Sequence, residues 1–482
     1  MSVLSDYQPK EVFRFFEEIC SIPHGSGNTK QISDYLVKFA IDRNLKYRQD
    51  DRNNVIIWKE ASYGYEDSDP LIIQGHMDMV TVKVDGLSKD MDSQGLDLEI
   101  VDGDWISGIG TSLGGDDGIA LAYALAIMDS DSIAHPPIEA VFTVDEEIGM
   151  LGATAIDVSD LKGRLFLNID SEDEGIFTVS CAGGMTAIGH LPYQTEKMDG
   201  SLITMSLSGF KGGHSGVEID KGRLNANLTL GRVLNAIHHP DFRLVSVNGG
   251  EKDNAIADYA QAVFMIPEIQ AESSKAAMKA VFDQVITEYS TVEDGLKISF
   301  AEEAKAGIDV MTAEDTKRVI AALVNYPNGI TRMNPDMKDM VQTSLNLGIL
   351  RTLDSEVSFS SSLRSSSETE KHDLFERIAS LMNILGGSVT STGDYPGWEY
   401  LSESKLRDVM IRVYREQYGE DPLVVGIHAG LECGIFASKL PGLDAISIGP
   451  QMHDIHTSNE LLGISSTERT WQLILKTLEQ LK

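Results

Sequence analysis

Cysteine is scarce in this chain: three residues in 482, at positions 20, 181 and 433. Their odd number and wide spacing exclude a disulfide framework, and a reducing, cytoplasmic compartment is expected. Long apolar runs are missing as well. The longest, Ile119–Met128, falls far short of the roughly 20 residues that cross a bilayer. The opening MSVLSDYQPKEVFRFFEEIC has no basic segment ahead of an apolar one, so no signal peptide is expected. Basic residues are few beside acidic ones: Lys plus Arg total 40, Asp plus Glu 74, a formal charge of −34. Such a field repels phosphate, so neither nucleic acid nor an anionic membrane is expected as a partner, whereas cations are favoured. Internal repeats and low-complexity tracts are not evident.

What is present reads as a globular enzyme. Hydrophobic residues are 42% and charged residues 24%, enough apolar surface for real cores. The length exceeds what one ordinary core organises, so two domains are expected. Val12, Phe15, Phe16 and Ile19 recur at helical spacing. Leu71–Ile73, Ala140–Val144, Leu165–Ile169 and Ala445–Ile448 read as buried strands, and Ile119–Met128 as a helix. Ser465 and Glu468 have the spacing of a capping box opening a last helix that carries Trp471, Leu475 and Leu478. Strands alternating with helices predict an α/β fold with a mainly parallel sheet flanked by helices. The middle differs: Leu202–Leu207 and Val357–Leu363 alternate like half-exposed strands, and Leu374, Ile378, Leu381 and Leu385 mark a helix. The expected organisation is a catalytic domain in two pieces, 1–185 and 399–482, interrupted by an inserted α+β domain at 186–398.

The chemistry is expected where the buried strands end. His76 and Asp78 follow the first of them. Asp145, Glu146 and Glu147 follow the second, Asp170 the third, and His453 and His456 the fourth. In a parallel sheet these ends share one edge, where α/β proteins place ligand sites. Each element alone has an ordinary reading: a surface His-x-Asp, a solvated Asp-Glu-Glu, a charged loop at 170–174, or an Asp cap in Gly114-Gly115-Asp116-Asp117-Gly118. Their joint occurrence at equivalent strand ends is harder to explain without cations to relieve the repulsion. Water is a poor nucleophile at neutral pH; two divalent ions about 3.5–4 Å apart lower its pKa to about 7 and hold a carbonyl oxygen as well. We assign Asp116 as the bridge, His76 and Asp170 to one ion, and Glu147 and His456 to the other. Three carboxylates and a bridging hydroxide neutralise two such ions. Histidine and carboxylate ligands favour zinc, with manganese and cobalt as alternatives. Asp78 would orient the His76 imidazole. Glu146 would take the proton of the bound water and pass it to the leaving amine.

The ordered series GHMDMV (75–80), GTSLGGDDGIALA (110–122), FTVDEEIGMLGA (142–153), NIDSEDEG (168–175), CAGG (181–184), GGHSGVEIDKGRLNAN (212–227), YPGW (395–398), HAGLECG (428–434) and IGPQMHDIHTSNE (448–460) runs through nearly the whole chain. It resembles the aminoacyl-histidine (Xaa-His) dipeptidases, within the co-catalytic zinc peptidase family that also holds carboxypeptidases, tripeptidases and aminoacylases. The resemblance implies the same five ligands, prefers His456 over His453, and implies an inserted lid domain used for homodimerisation. It also implies that His214 polarises the substrate carbonyl and that Asn254 touches substrate. Arg364 is the candidate for a peptide's carboxylate, with Tyr395 and Trp398 walling the pocket and His428 and Glu432 meeting a substrate terminus. The implied reaction is hydrolysis of unblocked dipeptides, β-alanyl-histidine included. Deacylation of N-acyl amino acids or tripeptide cleavage are the alternatives, and a non-catalytic metal- or peptide-binding module stands further off. Three departures from the group's pattern are Asp117 for Asn, Ala257 for Pro, and Thr457-Ser458-Asn459 without Pro.

Overall fold

A computed structural model describes residues 3–482. The chain divides into two compact units, one of Met1–Ser180, Tyr400–Gly426 and Leu431–Lys482, the other of Cys181–Glu399 and Ile427–Gly430. The short segment 427–430 thus belongs with the second unit although its sequence neighbours belong with the first.

The first unit is built on an eight-stranded sheet. Its order is Lys46–Gln49, Val55–Lys59, Ile138–Thr143, Leu71–His76, Leu165–Asn168, Asp444–Ser447, Ile176–Cys181 and Leu423–Ile427. The four central strands, from Ile138–Thr143 to Asp444–Ser447, run parallel. Antiparallel neighbours flank them on both sides, so the parallel character is confined to the centre. Leu71–His76 and Ile138–Thr143 are buried at every position, as continuous apolar runs in a sheet covered on both faces require. The helix Gly115–Asp129 packs on the Leu71–His76 strand and is buried almost all round. Against it lies Lys10–Cys20, whose Phe13, Phe15, Phe16 and Ile19 are buried, each contributing about 1.5–3 kcal/mol.

The last helix, Ile464–Gln480, departs from the expected capping box. Ser465 lies inside it rather than at its cap, and its hydroxyl donates to Asp104 Oδ1 at 2.5 Å. Leu475 is only half-buried; Trp471, Ile474 and Leu478 form the packed face. A small separate sheet joins Met452–His453, Leu461–Gly463, Trp105–Gly108 and Leu98–Val101.

The second unit carries an antiparallel sheet. It runs Lys297–Met311, Thr195–Ser208, Ala260–Ile266, Arg243–Gly249, Val341–Thr352, Glu356–Ser365, Gly183–Pro192 and Ser388–Tyr395, with Gly329–Met333 added beside Val341–Thr352. Alternate residues of Thr195–Ser208 and Glu356–Ser365 are buried. Helices Ala226–Leu234, Ala271–Glu288, Ala313–Asn325 and Glu368–Ile384 pack on the apolar face, where Phe264, Phe282 and Phe359 are buried. Among the described residues no helix is long and apolar enough to cross a membrane.

Candidate metal centre

The central strands deliver side chains to one edge. His76 closes its strand, Asp170 follows Leu165–Asn168 by two residues, and Asp145–Glu147 turn away just past Ile138–Thr143. Asp116 projects from the first turn of Gly115–Asp129, where its φ/ψ of −84/104 is not helical. His456 lies in the turn between Met452–His453 and Leu461–Gly463, with a left-handed φ of 59. Backbone conformations of this kind persist where surrounding structure over-determines them.

The two oxygens of Asp116 face two different imidazoles. Oδ1 is 3.1 Å from His76 Nε2, and Oδ2 is 3.1 Å from His456 Nε2. Asp170 Oδ1 lies 3.7 Å from the same His76 nitrogen, and Glu147 Oε1 lies 2.8 Å from that of His456. The result is two triads, His76–Asp116–Asp170 and Asp116–Glu147–His456, each compact enough to hold one metal ion. Exposed His453 lies against Trp105 with ring centroids 4.8 Å apart and planes tilted by 39°, and is in neither triad.

The electrostatics show how strongly this cluster calls for positive charge. Hydrogen bonds to Asp116 and Glu147 push the His456 imidazole up to about 10. Burial opposes the charge of His76, yet Asp116, Asp170 and Asp78 outweigh it and raise its pKa well above the ordinary value. Asp116, although buried, is held below the usual carboxylate range by the two imidazoles. Burial pushes Asp170 up to about 6 and Glu146, with Asp170, Glu432 and Glu147 around it, to about 9. The donor set therefore fits divalent cations: hard carboxylate oxygens and imidazole nitrogens, crowded together.

Asp78 is a hub, though not quite the one expected. The His76 Nδ1 contact at hydrogen-bond distance is to the backbone carbonyl of Asp78, at 2.9 Å; the carboxylate is 3.5 Å away. The carboxylate instead accepts from Ser26 Oγ at 2.8 Å and from the backbone N–H groups of Glu146 at 3.0 Å and Glu147 at 3.4 Å. Ser26 was not found from sequence. Its only signal is the His-Gly-Ser-Gly turn between the first two helices. Asp117, one of the three departures, is fully buried and accepts from the His76 backbone N–H at 3.1 Å; burial, with Asp170 nearby, pushes its carboxyl well up, towards the neutral acid.

Glu432, expected at a substrate terminus, is fully buried; its Oε2 accepts from Gln74 Nε2 at 2.5 Å and Thr143 Oγ1 at 2.7 Å, while Oε1 has no hydrogen-bond partner among the described residues. Asn168 Nδ2 donates onward to Gln74 Oε1 at 2.7 Å. Gln74, Thr143 and Asn168 escaped the sequence reading because single polar residues at the end of apolar runs carry no pattern.

The remaining candidates lie in the second unit. His214 pairs with Ala255, next to exposed Asn254, and its Nδ1 accepts from the N–H groups of Gly216 and Val217 at 3.2 Å each. Arg364 is buried, touches the Tyr395 hydroxyl at 3.5 Å, has no acceptor for Nε, and enters no ion pair among the described residues. Burial and the Arg364 charge hold His428 down to about 3; its Nε2 is 2.7 Å from Ser344 Oγ, and its buried Nδ1 has no hydrogen-bond partner among the described residues. Trp398, expected to wall the pocket, is 2% exposed and pairs through its backbone with Cys181.

Two histidine–carboxylate triads sharing one aspartate, at the carboxyl ends of parallel strands, define the class: a metal-dependent hydrolase. The chain belongs to peptidase family M20/M25/M40, whose model matches residues 72–480. It is 32% identical to the cytosol non-specific dipeptidase of Escherichia coli K12 over 100% of this chain and 99% of that one. Among solved structures it is similar to the aminoacylhistidine dipeptidase of Vibrio alginolyticus, with 34% identity, a TM-score of 0.94, and coverage of 99% of this chain and 98% of that one. Aminopeptidase PepT of Bacillus cereus, 16% identical with a TM-score of 0.56 over 98% of this chain and 99% of that one, shares the fold.

Proposed function

We propose that the protein hydrolyses the peptide bond of unblocked dipeptides, Xaa-His among a broader range, in the cytoplasm, with two divalent cations and zinc as the best fit. One observation carries the reading: each oxygen of Asp116 faces its own histidine–carboxylate pair. Full-length similarity to two dipeptidases supports the substrate class.

In this reading His76, Asp116 and Asp170 would hold one ion, and Asp116, Glu147 and His456 the other. When bound, such cations acidify water and polarise a carbonyl oxygen. Glu146 receives the water's proton on its carboxylate and delivers it to the leaving amine nitrogen. Asp78 holds the Glu146 and Glu147 backbone through the hydrogen bonds described above. Arg364, a buried guanidinium with no carboxylate partner among the described residues, suits the C-terminal carboxylate of a peptide. His214 and Asn254 are assigned to the substrate carbonyl and backbone, and the second unit to homodimerisation.

The test is a panel of dipeptides, their tripeptide extensions and N-acetyl forms, assayed with zinc, manganese and cobalt beside a chelated control. Dipeptides should turn over best. Preferred cleavage of the N-acetyl or tripeptide series would replace this reading with deacylase or tripeptidase. Glu146→Gln should retain its metal and lose turnover; full activity in that variant rejects the proton-transfer role.

A further inference from the structure

One buried carboxylate near the triads is used by none of the roles above. Glu460 is 2% exposed. Its Oε2 accepts from the backbone N–H groups of Leu113 at 2.8 Å and Gly114 at 3.2 Å, and its Oε1 from that of Gly115 at 2.8 Å. These groups open the helix Gly115–Asp129, which has no side-chain cap of its own. The first N–H groups of a helix lack intrahelical acceptors and form its positive end. A carboxylate from the far end of the chain thus does the work of a cap. Glycine makes this approach feasible. Gly114 has φ +67, and a Cβ on Gly115 would stand 3.3 Å from Glu460 Oε1 and 3.2 Å from Met452 Sδ.

The next residue along is Asp116. Its backbone is not helical, so regular helix hydrogen bonding does not fix its direction. The three bonds to Glu460 immediately before it do. At the other end, Glu460 follows His456 by four residues. The turn between them is locked: Thr457 Oγ1 donates to Asp454 O at 2.7 Å, Asn459 N to Thr457 Oγ1 at 3.1 Å, and Glu460 N to Thr457 O at 3.4 Å. Ser107 Oγ donates to the Glu460 carbonyl at 2.9 Å, and Leu461 pairs with Ser107 in the small sheet. One rigid turn therefore carries His456 at its start and, at its end, the clamp on the Asp116 loop.

We propose that Glu460 is a positioning residue that sets the spacing between Asp116 and His456, and through it the affinity of the cation held by Asp116, Glu147 and His456. This rests on the metal-centre reading above. A plain structural cap would lower stability and leave metal affinity alone; a positioning residue changes affinity. Partners one step behind metal ligands typically govern affinity by about 10–100-fold.

The experiment uses the full chain as wild type, Glu460→Gln and Glu460→Ala. Zinc affinities are measured by competition with a chromophoric chelator, and amide hydrogen exchange of residues 113–115 is measured in zinc-free protein. Wild type should bind two ions. Glu460→Gln, which keeps the shape but turns an amide NH2 towards one of the three N–H groups, should hold one ion about 10–100-fold more weakly. Its 113–115 amides should exchange faster, and kcat should fall at unchanged KM once zinc is limiting. Glu460→Ala should show the same or more; if it fails to fold, the isosteric variant carries the test. Wild type with two ions beside Glu460→Gln with unchanged affinities overturns this inference alone, whether or not the amides exchange faster. Wild type that takes up fewer than two ions overturns the centre and this inference with it.

Discussion

Removing the Asp78 carboxylate should separate proton transfer from metal binding. The side chain is fully buried, and three donors converge on it: Ser26 Oγ and the backbone N–H groups of Glu146 and Glu147. The His76 Nδ1 bond goes to the Asp78 backbone carbonyl, which survives any substitution of the side chain. Asp78→Ala therefore leaves the His76 ring its main anchor but frees the turn that carries Glu146. A hydrogen bond to a charged group is worth about 1.5–3 kcal/mol, and 1.4 kcal/mol is a factor of ten. If one such bond's worth of order at Glu146 is lost from the transition state, kcat falls by roughly 10- to 150-fold.

The assay measures kcat and KM for a dipeptide at saturating zinc, alongside chelator-competition affinities. The expected result is a large fall in kcat with zinc affinity changed less than tenfold. Ser26→Ala, which removes one of the three donors, should show a smaller fall of the same kind. Asp78→Ala whose activity returns when zinc is raised would refute the reasoning, because the carboxylate would then be acting on His76 and not on the Glu146 turn.

Burial and Arg364 hold His428 at about 3, so it is neutral in the fold. The unfolded chain takes up a proton below about 6.5, so this residue's contribution is present above that pH and lost as pH falls towards 3, with about 2 kcal/mol gone by pH 5. Urea unfolding of the second unit should therefore lose less between pH 7 and 5 in His428→Gln than in wild type, and equal losses would contradict the cause. Gly75→Ala would place a Cβ 2.5 Å from Ala120 Cβ and 2.5 Å from Asp117 Oδ2, next to His76. The strand and helix must part there, at a cost of about 1–3 kcal/mol, and both melting temperature and zinc affinity should fall; an unchanged melting temperature would show the gap to be slack.

The site's outer frame was legible because buried strands are written as apolar runs that end abruptly. Leu71–Ile73, Ala140–Val144, Leu165–Ile169 and Ala445–Ile448 each announce an end, and carboxylates or imidazoles stand within a few residues beyond it. The antiparallel flanks of the first sheet were not legible, since Lys46–Gln49 is exposed or half-buried and too short to show a period. Residues that act through one hydrogen bond to a distant segment were also hidden. Ser26 meets Asp78 across 52 residues and Gln74 meets Glu432 across 358, separations at which local pattern carries no information. The capping box at Ser465 failed for a related reason: the spacing was right, but Asp104, from another part of the chain, claims the hydroxyl. The Gly114–Gly115 pair did leave a trace, read as a turn before a helix, yet nothing local says that the turn exists to admit Glu460.

The buried acids of the first unit show why the two triads stand apart from an acidic surface. Glu139 is satisfied by the N–H groups of Lys162 and Gly163 and by Trp58 Nε1, and Glu460 by three backbone amides; Glu432 accepts from Thr143 and Gln74 on one oxygen, and burial pushes its carboxyl up to about 7. Asp117 is pushed towards its neutral form by burial. Each of these carboxyl groups has a local remedy for the cost of leaving water. The close partners of Asp116, Glu147 and Asp170 are instead imidazoles, one on each side, whose pKa values are driven up by the charge they face. An imidazolium is a poor permanent answer, because it surrenders its proton as soon as a stronger Lewis acid competes for the same nitrogen. On the proposed reading cations would take the place of those protons, so removing metal should loosen the segments around residues 116, 147, 170 and 456 before it loosens anything else in the first unit.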